Sequence, residues 1–273
     1  MAFDRLSRAG IVLLGCGKMG GAMLKGWLSA GLSPESVHVR DPKPGDELTR
    51  LAGQGLHLNE DLPNAPAMLL VAVKPQMMGD ALPDVAALGG GDTVVLSIAA
   101  GTTIATFEEV FGAGTPVIRA MPNTPAAIGK GITAIIGNGH VTETHLQMAE
   151  EVLSAIGQTV RLDEEEQMNA VTGVSGSGPA YVFHMIEALA EAGAAEGLAP
   201  DLAMRLAIAT VSGAGQLAAT GEDTPEQLRV NVTSPNGTTQ AGLDVLMDDT
   251  RGLRDLMRRT VAAAAARSRE LAN

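Results

Sequence analysis

The apolar run Gly10-Ile11-Val12-Leu13-Leu14 passes without interruption into Gly15-Cys16-Gly17-Lys18-Met19-Gly20, and that junction constrains the fold more than any other stretch. A strand that breaks into G-x-G-x-x-G and then into the amphipathic stretch Met19 to Ala30 reads as the first β-turn-α unit of a doubly wound sheet. Gly15 permits the tight turn, and Gly17 lets a pyrophosphate approach the backbone. Gly20 lets the helix close on the strand, with the anion at the helix N-terminus. The contact set expected from this turn is Gly15, Gly17, Lys18, Met19 and Gly20. A second apolar run, Val37 to Arg40, ends in Asp41, where an acid that hydrogen-bonds a ribose is expected. Arg40 and Lys43 flank that acid; they would attract a 2′-phosphate that Asp41 would repel.

The rhythm continues through apolar runs at Met68 to Val73, Thr93 to Ile98, Pro116 to Ala120 and Ile132 to Ile136, separated by helix-like segments such as Met77 to Leu88 and Thr103 to Phe111. Alternating strands and helices predict an α/β fold with a Rossmann-type doubly wound sheet. Ligands of such sheets sit outside the carboxyl ends of the strands. Three runs end there in distinctive loops: Val73-Lys74-Pro75-Gln76, Ala99-Ala100-Gly101-Thr102 and Met121-Pro122-Asn123-Thr124-Pro125.

After Gln158 to Leu162 the strand signals stop, and Asp163-Glu164-Glu165-Glu166 reads as a solvated boundary. The division expected is 1–163 for the dinucleotide-binding domain and 164–273 for an all-helical domain. Predicted helices run from Ala180 to Glu196, capped by Gly197, and from Pro200 to about Thr220. Thr224-Pro225-Glu226-Gln227 has the form of a capping box opening a short helix, and two further helices run from Thr238 to Met247 and from Gly252 to the end. With 45% hydrophobic residues but only 2% aromatic, the helical half has little bulk for a private core, so dimerisation through it is expected.

A formal charge of −12 argues against nucleic-acid or anionic-membrane partners, which need clustered Lys and Arg. One cysteine excludes an intrachain disulfide framework. No signal-peptide pattern is visible, and no stretch reads as the roughly 18 apolar residues of a membrane span, so a cytoplasmic protein is the expectation. The five histidines make no metal-ligand spacing and no G-x-S-x-G elbow occurs, so neither a metal site nor a serine nucleophile is expected.

Between the late helices lies Val232-Thr233-Ser234-Pro235-Asn236-Gly237-Thr238-Thr239. Ser234 is expected to cap a helix with Pro235 at its first position, leaving N–H groups from Gly237 onward free to hold a carboxylate or phosphate. The competing reading is an interhelical turn whose hydroxyls satisfy only their own backbone. All five lysines lie in the first half. Hydroxyacid dehydrogenases built from a Rossmann domain and helices place a catalytic lysine after the sheet, and this chain has none there. A cyclic imine, protonated on its own nitrogen, suits these residues better.

The motifs Gly15-Cys16-Gly17-Lys18-Met19-Gly20, Val73-Lys74-Pro75-Gln76, Ser97 to Thr102, Arg119 to Ala126 (Arg-Ala-Met-Pro-Asn-Thr-Pro-Ala), Ser175-Gly176-Ser177-Gly178-Pro179-Ala180-Tyr181 and the late Ser-Pro-x-Gly-x-Thr loop resemble those of the pyrroline-5-carboxylate reductases. The resemblance implies hydride transfer from NADPH, with NADH as the second choice, to the C=N bond of L-1-pyrroline-5-carboxylate, giving L-proline. It also implies that the late loop holds the substrate carboxylate through Ser234, Gly237 and Thr238 beside Val232, that Thr239 hydrogen-bonds the ring nitrogen, and that Glu222 stands near the site mouth. Asn59, Val73, Lys74, Pro75, Ala99, Gly101 and Asn123 would join Arg40, Asp41 and Lys43 along the cofactor. Interlocked homodimers, and pentamers of dimers, are further implications. Asn236 stands where the family usually has glycine, at a turn expected to need positive φ, which Asn tolerates best among non-glycine residues. The readings left open are another Rossmann-type imine or oxo-acid reductase, and a non-catalytic nucleotide-binding module.

Overall fold

The strands fall where short apolar runs are bounded by Gly, Pro and polar residues: β1 Ile11–Leu14, β2 Val37–Arg40, β3 His57–Leu58, β4 Met68–Val71, β5 Val94–Ser97, β6 Val117–Met121, β7 Gly131–Gly137 and β8 Gly157–Arg161. The structure, a computed structural model, describes residues 3–272. Hydrogen bonding orders the strands 3-2-1-4-5-6-7-8 in one sheet. All neighbours run parallel except β6 and β7. Strand order reverses between β1 and β4, in register through Leu14 and Val71, so the ligand crevice of a doubly wound sheet opens there.

Helices α1 Asp4–Ala9, α2 Lys18–Ser29, α3 Asp46–Ala52, α4 Met78–Ala81, α5 Ile104–Phe111, α6 Glu143–Ser154 and α7 Gln167–Val171 belong to the sheet's half of the chain. β1, β4 and β5 are buried along their whole length, as parallel strands covered on both faces must be. Period-2 alternation divides their side chains between two apolar layers. Leu13, Leu70 and Leu96 join Met23 and Trp27 of α2 and Val152 of α6 on one face. Val12, Leu69, Val71 and Val95 meet Val85 and Phe107 on the other. The indole N–H of Trp27 donates to Val152 O at 2.8 Å and ties the two helices of the first layer together.

The expected helix over Met77 to Leu88 is broken. A 3₁₀ turn Pro75–Met77 leads into the four-residue α4, and a 3₁₀ stretch Leu82–Leu88 follows. Pro83 lacks an N–H, and its ring clashes with the carbonyl four residues back, so an α-helix cannot run through it.

The compact unit around the sheet extends through Gly176 and takes up the residues from Ala265 on, while Ser177–Ala264 forms a second unit. The second unit holds α8 Gly178–Ala195, α9 Pro200–Thr220, α10 Pro225–Asn231, α11 Thr238–Leu246 and most of α12 Leu253–Ala272. Gly197 takes φ +96° past the end of α8, as its capping position requires. The buried core of this unit is three alanines, Ala190, Ala203 and Ala207, with Ile186 and Ala194 packed against them. Phe183, Leu206, Ile208 and Leu217 are exposed. The last turns of α12 rejoin the first unit: Ser268 Oγ donates to Asn169 Oδ1 at 2.9 Å, a buried contact, and Arg269 lies 3.5 Å from Glu166.

One expectation is corrected here. With 21 residues and a mean hydropathy of 1.2 over its best window, α9 is by length and composition apolar enough to cross a membrane, because Leu202, Leu206, Ile208, Val211 and Leu217 are spread among its alanines.

Candidate active site

β1 ends at Leu14, and Gly15 turns the chain with φ +87°, its N–H donating to Arg40 O at 2.8 Å. A side chain at Gly15 would strike Val73 Cγ1 at 2.7 Å, and one at Gly20 would lie 2.5 Å from Gly15 O. These two glycines let α2 seat directly against the strand end. Gly17 differs: a Cβ there would meet nothing within 4 Å, so its face opens outward. Gly17 is also the N-cap of the 12-residue α2 and has no side chain to cap the helix. The N–H groups at the start of α2 therefore face open space at the positive end of the helix, the environment a pyrophosphate needs. Gly15, Gly17, Lys18, Met19 and Gly20 all stand in this turn, which fits a dinucleotide.

The adenosine end is built by mutual bonding. Asp41 N–H donates to Asn59 Oδ1 at 3.0 Å, and Asn59 Nδ2 returns a bond to Asp41 O at 2.9 Å. Asn59 holds φ +56°, tolerable for Asn. The Asp41 carboxylate accepts from the N–H groups of Cys16 and Lys43, both at 2.8 Å. A cleft of about 290 Å³ lies beside them, walled also by Arg40, Val73, Asp80 and Asp84. Asn59 lies on that wall, yet its side chain is engaged in holding β2's end.

The loops after β4, β5 and β6 leave the same edge of the sheet, since those strands run parallel to β1. Lys74 is exposed and precedes the 3₁₀ turn begun by Pro75. Ala99 is buried, and Gly101 takes φ +77°. Asn123 serves the fold through both side-chain ends, accepting from Ile132 N–H at 3.0 Å and donating to Ser175 O at 3.2 Å.

One half-buried ion pair escapes the sequence reading. Arg119, buried in β6, pairs with Glu165 at 2.7 Å, and the same carboxylate oxygen accepts the N–H of Ile104 at the start of α5 at 3.0 Å. Glu165 is thus no solvated boundary residue. The signal was Arg119 itself, since a charge inside an apolar strand requires a partner. Cys16 is no nucleophile either: burial first, then the charges of Asp41 and Glu47, push its thiol up to about 12.

In the second unit the late loop departs from the expected cap. Gly237 N–H donates to Ser234 O at 3.0 Å, closing a turn with Pro235 and Asn236 at its centre. Asn236 sits at φ +58°, which no helical position tolerates, so α11 starts only at Thr238. Ser234 therefore opens a turn and caps nothing, and Gly237's own N–H is already used. Gly237 is the N-cap and offers no side chain, leaving the first N–H groups of α11, from Thr238, uncapped. Ser234, Thr238 and Thr239 are exposed, as are Glu222 and Val232. Thr224 caps α10 by accepting from Gln227 N–H at 3.2 Å, but Gln227's side chain reaches forward to Asn231, so only half of the expected box forms. Among the described residues no group of three or more His, Cys, Asp or Glu converges as metal ligands.

A phosphate-ready glycine turn, an acid after β2 and a crevice at the strand-order reversal define a dinucleotide-binding oxidoreductase of Rossmann type, carrying a second, helical unit. Residues 165–271 match the family described as pyrroline-5-carboxylate reductase dimerisation, and residues 10–101 that of NADP oxidoreductase coenzyme F420-dependent. The chain belongs to the pyrroline-5-carboxylate reductase family. It is 35% identical to the Pseudomonas aeruginosa pyrroline-5-carboxylate reductase over 271 residues, 98% of each chain. The Synechocystis enzyme is 44% identical over 213 residues, 78% of each. A pyrroline-5-carboxylate reductase structure from Coxiella burnetii superposes with a TM-score of 0.89 at 32% identity, covering 97% of this chain and 99% of that one. The Plasmodium falciparum reductase, solved with NADP bound, gives 0.80 at 26% identity over 98% and 99%.

Proposed function

We propose that this chain reduces the C=N bond of L-1-pyrroline-5-carboxylate to give L-proline, the last step of proline biosynthesis. Most support comes from likeness to the Pseudomonas enzyme along 98% of the chain, a span that includes both the glycine turn and the late loop. When bound, a reduced nicotinamide supplies the hydride. Everything else is asked of the protein as orientation and electrostatics.

Gly15, Gly17, Lys18, Met19 and Gly20 hold the pyrophosphate, Arg40, Asp41, Lys43 and Asn59 stand at the adenosine end, and Val73, Lys74, Pro75, Ala99, Gly101 and Asn123 line the way to the nicotinamide. In the helical unit, the uncapped N–H groups of Thr238 and its successors hold the substrate carboxylate, in the surroundings of Val232, Ser234 and Gly237. The Thr239 hydroxyl bonds the ring nitrogen, and Glu222 stands near the mouth. The substrate's imine carries its own proton, since no lysine lies beyond Lys130. NADPH is the donor the resemblance implies, and the Plasmodium relative solved with NADP bound agrees with it; the residues at this chain's adenosine end weigh the other way.

The exposed Phe183, Leu206, Ile208 and Leu217 of the second unit are covered by a second copy of the chain, and the match to a dimerisation family supports that partner over lipid for α9. Assembly of dimers into a decamer and a cytoplasmic location follow from the resemblance, with residues 1–163 serving the nucleotide and 164–273 the substrate and the partner. The test is loss of NADH or NADPH absorbance with pyrroline-5-carboxylate, with proline measured as product. Oxidation of neither nucleotide refutes the activity and favours a nucleotide-binding module. Thr239→Val should lower kcat by about 100-fold, the scale of one positioned transition-state contact, with nucleotide affinity unchanged; undiminished turnover removes Thr239 from its role.

A further inference from the structure

We propose that the adenosine end of this chain selects an unphosphorylated ribose through Asp41, so that NADH is bound in preference to NADPH. The inference rests on the dinucleotide reading of the glycine turn. Asp41 is immobilised from all sides: its main chain is clamped by the Asn59 side chain at 3.0 and 2.9 Å. Its carboxylate is aimed by the N–H groups of Cys16 and Lys43, each at 2.8 Å. It cannot swing aside to admit another anion without releasing the glycine turn through Cys16. Each carboxylate oxygen keeps acceptor capacity after those bonds, and an ionised carboxylate only accepts. Ribose hydroxyls can donate to it. A 2′-phosphate dianion has no proton to give.

The cleft's charge points the same way. Asp41, Asp80 and Asp84 all line it, and Arg40 is the single cation among the described lining residues. Arg40 is partly engaged: its Nη1 donates to Asn59 O at 3.0 Å, and its Nε is buried without a partner. Lys43 contributes its backbone N–H to Asp41, and its side chain does not line the cleft. A 2′-phosphate would meet three carboxylates and one partly engaged guanidinium, whereas a plain ribose would meet acceptors suited to its hydroxyls.

Direct binding tests this apart from turnover. The full chain is titrated with NADH and with NADPH by nucleotide fluorescence, and the adenosine end is probed by competition with 5′-AMP and with its 2′-phosphorylated counterpart. NADH should bind at least about tenfold tighter, with the gap narrowing as salt screens the carboxylates. Asp41→Ser should tighten NADPH about tenfold and weaken NADH. Because that change also removes the bond to Cys16, Asp80→Asn with Asp84→Asn serves as a second variant that leaves the glycine turn intact, and it should tighten NADPH several-fold. Equal or tighter NADPH binding by the unaltered chain, or NADPH affinity unmoved in both variants, overturns the assignment of selectivity to Asp41. Binding of neither nucleotide overturns the dinucleotide reading beneath it.

Discussion

Gly20 and Gly21 are adjacent in α2, and alanine at each separates steric closure from helix propensity. A Cβ on Gly20 lies 2.5 Å from Gly15 O, whereas a Cβ on Gly21 meets nothing closer than Cys16 O at 3.8 Å. The obstructing atom is backbone at a strand end and cannot rotate away. Either the turn or the helix must give at least half an ångström to restore even a 3.0 Å contact, and overpacking of this kind costs about 1–3 kcal/mol. Gly→Ala in a helix returns roughly 1 kcal/mol at both positions. Gly21→Ala should therefore stabilise by about 1 kcal/mol, while Gly20→Ala ranges from near neutral to about 2 kcal/mol destabilised. The difference between the two variants isolates the clash, because propensity cancels. Trp27, the sole tryptophan, is fully buried in α2 itself, so its fluorescence in urea reports the unfolding of this layer. Protein concentration is held fixed because subunit association adds to apparent stability. Nucleotide titration of the same proteins should show weakened binding for Gly20→Ala alone. If the variants unfold within about 0.5 kcal/mol of each other and bind alike, the close-packing role of Gly20 is wrong.

Three further outcomes are expected. Asn236→Gly should preserve activity, and Asn236→Ala should cost about 1 kcal/mol and lower kcat/KM, because φ +58° is strained for alanine; equal kinetics for both would contradict the turn. Glu165→Ala leaves Arg119 buried and unpaired and should destabilise by about 2–3 kcal/mol, less than for a fully enclosed pair because the Glu165 side chain is 32% exposed; an unchanged urea midpoint would refute this. For Cys16, the folded chain retains a proton that the unfolded chain releases between pH 9 and about 12, so stability should fall as pH rises through that window. Iodoacetamide at pH 8, followed by mass spectrometry, should label Cys16 far more slowly in the native chain than in concentrated urea.

The strand-turn-helix opening, the order of strands and helices, and the positive φ of Asn236 were legible because each is dictated by local chemistry: continuous apolar runs, glycine spacing, and an asparagine in the late Ser-Pro-x-Gly turn. The late helix starts at Thr238 as expected, but the cap at Ser234 is not there, because Ser-Pro satisfies the rules for a cap and for a turn equally well and only the left-handed Asn236 separates them. The long-range pair Arg119–Glu165 spans 46 residues, so no local pattern contains it. Likewise Asn59 and Asn123 were legible as polar loop residues, but their fold-holding bonds depend on which strand ends come together. The hydropathy of α9 is hard to see in the sequence because its Leu, Ile and Val residues are spaced among small and polar ones and form no continuous apolar run.

The return of α12 to the sheet's unit has a consequence for how this protein is made. A ribosome delivers the strands first, and the first unit's share of the chain is complete to Gly176 long before the rest emerges. Yet Asn169 receives the Ser268 hydroxyl, and Gly101 lies against Leu271 O, only when α12 has emerged. Vectorial synthesis, which lets most leading domains finish before their followers, here leaves the nucleotide-binding half waiting for the later part of α12. Nascent chains stalled short of Ala265 should therefore be the species most open to chaperones and proteases.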